Sequence, residues 1–368
     1  MARVVVLGAY GAFGARVAER LAREPGLELI VAGRSLERAS EAARRLSGKG
    51  CASVVPAVMD AAAISGADLL QIKPTLLINA SGPYQSQDYR LARGCIAAGA
   101  HYVDLADARS FVAHIGGLDE EAKRADVLVV SGASTVPALS AAVLDAYAPQ
   151  FARLQSASIV IAPGNSFDPG LATTQSILGT LGRAFAAPLD GRTTAVHGWQ
   201  ELQRRLLPGL GGRWLGACDT PDLELFPQRY PSLRTVRVFA ALEVGAFHLG
   251  LWGLAGLVRA GILKRPERLA APLLALKQTM RFLGTDVGGM VIALEGEGHG
   301  GERKRVDWSL IARRGHGPLI PAMPSVILAK RLLAGALPTR GAMPCLGLFT
   351  LEEFLAEVAD LDIKVQTG

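Results

Sequence analysis

The segment GAYGAFG at residues 8–14 limits the fold more than any other feature of the chain. It follows the apolar run Arg3 to Leu7 and opens an amphipathic run from Ala12 to Ala22. Between a strand and a helix, glycines at Gly8, Gly11 and Gly14 remove the Cβ atoms that would keep an anion from the backbone. The free N–H groups at the positive end of the helix then favour negative charge. The chain holds 42 glycines, so the setting carries more weight than the spacing. In that setting the turn predicts a dinucleotide pyrophosphate site, with Tyr10, Ala12 and Phe13 completing its wall.

The surrounding rhythm agrees. Further short strands are predicted at Leu27 to Ala32, Val54 to Ala57, Leu76 to Asn79, His101 to Asp104 and Val127 to Val130, alternating with helical runs. Six strands joined by helices make an α/β doubly wound parallel sheet of Rossmann type. After SGASTVPALS at 131–140 the connections lengthen. Strands are expected at Ser156 to Ala162 and Arg234 to Ala240, and an antiparallel hairpin at Met290 to Glu297 and Arg303 to Arg313, turning through EGHGGE. The predicted division is residues 1–150 for a nucleotide-binding domain and 151–368 for an α+β domain with a mixed or antiparallel sheet. Helices at Ser325 to Leu333 and Leu351 to Val358 are candidates to pack back on the first domain.

The parallel sheet places the loops after its strands at one edge, where the cofactor is read. After the second strand stand Gly33, Arg34 and Ser35, where an NAD-dependent protein would present an acid to the ribose 2′-hydroxyl. Arg34 suits a 2′-phosphate through paired hydrogen bonds and Ser35 adds a donor, so NADP(H) is favoured; Arg34 also reads as a solvated loop residue. Asp60 fits an adenine edge or a helix cap equally well. Ala80, Ser81, Gly82, Pro83 and Tyr84 follow the fourth strand, where a nicotinamide would lie. Asp104 and Asp107 follow the fifth, facing the same edge or capping a helix.

Composition excludes several classes. Cys51, Cys95, Cys218 and Cys345 are far apart with no CxxC pair, so neither a metal site nor a disulfide framework is predicted. The opening residues lack an export signal, which points to a cytoplasmic protein. A formal charge of +6 on 368 residues, without an aromatic-interleaved basic stripe, gives no nucleic-acid groove. A small-molecule substrate is the expected partner. Contact with a membrane or lipid surface and a homodimer are both left open.

The stretches GAYGAFG, AGRS, NASGPY, CIAAGAHYVDLAD and SGASTVPALS, in this order, resemble the saccharopine dehydrogenase-like oxidoreductases over roughly residues 1–150. The resemblance implies a Rossmann domain followed by an α+β domain and the use of NADP(H). It also implies cofactor positions at Gly8, Gly11, Gly14, Arg34, Gly82, Pro83 and Tyr84. The family includes saccharopine reductases and trans-acting enoyl reductases of lipid assembly. The expected reaction is hydride transfer to or from a C=N or C=C bond of a substrate lying between the domains.

The second half lacks an obvious arginine set for an amino-acid dicarboxylate. Its run Phe239 to Val258 is interrupted only by Glu243 and His248 and, with GPLIPAMP at 317–324, suits a lipid-like substrate better. That run also reads as a buried core helix, as a patch resting on a membrane or, least readily, as a membrane span, since a charge near mid-helix costs roughly 2.5 to 3.5 kcal/mol. The alternatives for function are a saccharopine reductase-type enzyme and a non-catalytic NADP-binding sensor or scaffold. No acid–base constellation stands out; Tyr84, Asp107 and His248 are the proton-donor candidates.

Overall fold

The computed structural model describes residues 1–64 and 66–368. It separates into two compact units, Met1–Leu139 with Pro318–Glu357, and Ser140–Gly317 with Val358–Gly368. The expected contiguous division at residue 150 is therefore replaced by one in which the chain re-enters the first unit near its end.

In the first unit the predicted strands form at β1 (Ala2–Leu7), β2 (Leu27–Gly33), β3 (Ser53–Val58), β4 (Leu76–Asn79), β5 (His101–Asp104) and β6 (Leu128–Ser131). They lie in the order β6-β5-β4-β1-β2-β3, and every pairing is parallel. A seventh strand, Gly341–Pro344, adds parallel to β6. The central strands are apolar because helices cover both faces: Val4, Val5 and Val6 of β1 and Leu76, Leu77 and Ile78 of β4 are fully buried. The helices Met323–Leu333 and Leu351–Glu357 belong to this unit, as the packing-back expectation anticipated. Lys330 on the former bridges Glu24 at 2.9 Å and Glu357 at 2.9 Å.

The second unit is built on a seven-stranded mixed sheet. Its strands include β7 (Arg153–Ala162), β10 (Gln203–Leu207), β11 (Gly211–Ala217), β12 (Thr235–Ala240), β13 (Gly288–Glu297) and β14 (Arg303–Ala312). The order is β10-β11-β12-β7-β13-β14, closed by Ile363–Thr367. Only β12 and β7 pair in parallel; the others are antiparallel. The β13–β14 hairpin runs from Gly288 opposite Ala312 to Glu297 opposite Arg303, so the Gly-rich turn falls where the sequence put it. A separate hairpin pairs β8 (Ala184–Leu189) with β9 (Arg192–His197).

The apolar run from Phe239 does not form one element. β12 ends at Ala240 and a helix begins at Gly245, with Glu243 in the link. Glu243 accepts hydrogen bonds from the backbone of Asn165 (2.7 Å) and Thr285 (2.8 Å) and lies 3.8 Å from the buried Arg213. Its charge is satisfied in a loop junction instead of within a helix. No helix among the described residues is long and apolar enough to cross a membrane.

Candidate functional site

The loops after β1 and β4 meet so closely that two of the three glycines are obligatory. A Cβ at Gly8, whose φ is +85°, would stand 2.8 Å from the Ala80 carbonyl oxygen, and one at Gly14 would stand 2.2 Å from that of Gly8. Side chains at either place would drive the turn off the sheet. Gly11 differs: it is exposed, and a Cβ there would meet only the Gly8 oxygen at 3.1 Å. Its outward side is the open approach to the start of the helix Gly14–Leu21, in whose first turn the Ala15 N–H donates to the Gly11 carbonyl and those of Arg16 and Val17 to the Phe13 carbonyl. Ala12 and Phe13 are half-buried beside it.

At the end of β2 the turn is tied to the next helix. The Tyr10 ring packs on Gly33, and its hydroxyl accepts the Ser35 backbone N–H at 2.8 Å. The Ser35 hydroxyl oxygen caps the helix Leu36–Leu46, accepting from the Arg38 N–H at 3.3 Å. Arg34 is exposed, and the Arg38 guanidinium lies 4.5 Å over the Tyr10 ring. The two arginines thus flank the turn into this helix, with the exposed Glu37 in its first turn between them. The sequence reading missed Arg38 because its place depends on the aromatic face of Tyr10, which spacing alone does not reveal.

Asp60 is exposed; its carboxylate accepts the Ala62 N–H at 3.1 Å and its carbonyl accepts the Ala63 and Ile64 N–H groups. It organises the turn after β3, and the next helix, Gly66–Ile72, starts later.

The loop after β4 is held from within. The Asn79 side chain accepts from Ser81 Oγ (2.5 Å) and Ser81 N (3.0 Å) and donates to the Tyr102 hydroxyl (3.2 Å). Gln87 Nε2 donates to the Ser81 and Pro83 carbonyls, and the Gly82–Pro83 peptide is cis. Tyr84 is buried and donates to the Asn79 carbonyl at 2.7 Å; burial first, then Asp104 and Asp107, raise its pKa well above the usual value. Its hydroxyl therefore locks the loop and is poorly disposed to release a proton. Asn79 and Gln87 went unnoticed in the sequence, although Asn before a Ser-Gly turn is a familiar side-chain brace.

After β5 the two acids part ways. Asp104 is buried and accepts from Ser131 Oγ (2.9 Å), Gly132 N (2.8 Å) and Ala106 N (3.0 Å), binding the ends of β5 and β6 together. Desolvation raises its pKa to about 6 against those hydrogen bonds. Asp107 is exposed, but the protein crowding its carboxyl raises its pKa, partly offset by its own backbone N–H and by Gln85. Of the three proton-donor candidates it alone stays open to solvent. His248 lies in the second unit, fully buried against Trp199 with ring centroids 5.3 Å apart; burial lowers its pKa to about 4, so it stays neutral as a core residue.

Residues 4–141 match the family model of the saccharopine dehydrogenase NADP binding domain. A Caenorhabditis elegans protein described as a lipid droplet localized protein is 31% identical over 144 residues, covering 37% of this chain and 34% of that protein. The match spans about a third of that relative's length. Among solved structures, the apo histidine-tagged saccharopine dehydrogenase (L-Glu forming) from Saccharomyces cerevisiae superposes with a TM-score of 0.71, covering 100% of both chains at 14% identity. That likeness establishes a common fold. The cofactor that the domain is built for is NADP(H), in keeping with a turn that a Cβ would fill and a second strand followed directly by Arg34. Residues 4–141 are thus a saccharopine dehydrogenase-type NADP binding domain, and the chain as a whole shares the fold of saccharopine dehydrogenase.

Proposed function

We propose that the protein is an NADP(H)-dependent oxidoreductase that moves hydride to or from a C=C or C=N bond of an apolar, lipid-like acceptor. The observation that carries the reading is the convergence of the Gly8–Gly14 turn, the Tyr10–Ser35–Arg38 cluster and the braced Ser81–Tyr84 loop at one edge of one sheet. In this reading the backbone from Gly11 to Gly14, at the positive end of the helix, holds the pyrophosphate. Arg34 and Arg38 hold the 2′-phosphate, Asp60 borders the adenine, and Ala80 to Tyr84 fix the nicotinamide end. NADPH supplies the hydride when bound. In the direction of reduction the acceptor also takes a proton, and the reading assigns that proton to Asp107, whose raised pKa keeps it protonated to higher pH than an ordinary carboxyl.

The preference for an apolar acceptor draws on where the arginines of the second unit go. Arg213 is buried, donates through Nε to the Leu210 carbonyl at 3.0 Å and faces Glu243, so its charge is offset within the unit although its Nη1 makes no hydrogen bond among the described residues. A second reading, a carboxylate-bearing amino-acid substrate, is favoured by half-buried Arg205. Its guanidinium lies 3.2 Å from Ser158 Oγ, and its pKa is lowered by burial and then by Arg237 and Arg305.

NADPH oxidation followed with enoyl and carbonyl lipids, beside 2-oxo acid and lysine mixtures, separates the readings. Turnover with the lipids is expected. Turnover confined to the amino-acid mixtures would establish the second reading, and tight NADPH binding without turnover of any acceptor would mark a sensor or scaffold.

A further inference from the structure

The helix Gly245–Arg259 has the sequence GAFHLGLWGLAGLVR, apolar around its whole circumference until Arg259 apart from neutral His248. Such a helix ordinarily lies inside a core. Here only His248 and Ala255 are buried. Ala255 joins Leu178, Leu181, Trp199 and Ala270 in a small cluster, with Leu251 and Leu254 packed against it, while Leu249, Trp252 and Leu257 face outward. The next helix, Ala270–Thr279, shares that cluster through Ala270 and Leu273 and leaves Leu276 exposed. Between and after them Ile262 and Phe282 are 72% and 77% exposed.

The same segment concentrates charge. Residues 245–283 hold six Lys or Arg against one Asp or Glu, in a chain whose formal net charge is +6. Glu267, the lone acid, faces Arg183 at 3.7 Å. Arg259, Lys264, Arg265, Arg268 and Arg281 are exposed and make no ion pair among the described residues. Lys277 donates to the Asn165 and Phe167 carbonyls and is occupied within the unit.

We propose that the helices Gly245–Arg259 and Ala270–Thr279, with the turns that follow them, dock on the surface of an anionic lipid bilayer. Apolar side chains with an aromatic among them enter the interface, and long basic side chains reach the headgroups from the rim. The charge selects this occupant over a second copy of the chain. A two-fold dimer places a patch against itself and would bring the two unpaired basic sets together with one acid each, already engaged, to offset them. The docking does not depend on the reaction proposed above, and a failure to reduce lipids would leave it untouched.

Flotation with vesicles of phosphatidylcholine alone and of equal parts phosphatidylcholine and phosphatidylglycerol tests the proposal, at low and high salt. The wild type is expected to float with the mixed vesicles at least about tenfold better than with the neutral ones, and to lose that advantage in high salt. Trp252 is the most exposed of the four tryptophans, so its emission should shift to the blue on binding. The double substitution Trp252→Glu/Phe282→Glu should cut binding about tenfold or more while NADPH binding and cooperative melting persist. If that variant does not fold, Arg265→Glu/Arg268→Glu must show the same loss on mixed vesicles. A wild type that stays unbound, or variants that float as it does, would overturn the proposal. So would a dimer, seen by light scattering, that the Trp252→Glu/Phe282→Glu substitution dissolves, since it would assign the face to a second copy.

Discussion

Gly14 leaves no room for a side chain because the Gly8 carbonyl would lie 2.2 Å from its Cβ, whereas Gly11 faces outward. That difference separates a glycine needed for folding from one needed for approach. Gly11→Val should therefore melt cooperatively near the wild-type temperature yet bind NADPH about 10- to 100-fold more weakly, the loss of charge-assisted hydrogen bonds worth roughly 1.5 to 3 kcal/mol. Titration followed by NADPH fluorescence reads the loss, and unchanged affinity in a folded variant would remove the turn from the site. At the end of β2 the expected division is between two cofactors. Arg34→Ala and Arg38→Ala should each weaken NADPH about tenfold or more and leave NADH within about twofold, because only the former carries the phosphate that a guanidinium pairs with. Equal losses for both cofactors would mean that the arginines act on the turn itself. Arg38 had no visible signal in the sequence: a basic residue in the first turn of a helix is common, and its stacking exists only once Tyr10 lies against Gly33.

Between elements, Asp104 is the joint that ties β5 to the end of β6. Its folded-state pKa of about 6 stands above the ordinary 3.8, so the folded protein holds the proton more tightly than the unfolded chain. The resulting stabilisation is complete below about pH 4 and disappears as pH rises through about 6, amounting to about 3 kcal/mol for this one group. Urea unfolding of the wild type and Asp104→Asn across pH 4 to 8 should show a loss of stability between about pH 4 and 6 that the variant lacks. Parallel curves would show that Asp104 does not carry that proton. At this same scale β1 to β6 were legible because each is a short apolar run punctuated by a helix, whereas Gly341–Pro344 was not. GAMP has no β-branched residue, and it becomes a strand only by pairing with β6, from Gly341 opposite Leu128 to Pro344 opposite Ser131. Pairing, not propensity, made that strand.

Across the whole molecule, the sequence located the nucleotide-binding half through local signals, a turn and five strand ends that lie within a few residues of the groups they position. The second half resisted because its elements are defined by distant partners. The apolar run from Phe239 breaks at Glu243 only because Asn165 and Thr285 come from far along the chain to hold that carboxylate. The division into units depends on distance in the same way: residues 318–357 group with the first sheet, and no compositional change marks the crossing. The central claim is that the edge of the first sheet is built for NADP(H), and calorimetric titration of the unmodified protein with NADPH and with NADH tests it most directly. NADPH is expected to bind at least about tenfold more tightly, the contribution of a phosphate paired with arginine. Equal affinity for the two cofactors, or binding of neither, would contradict the account.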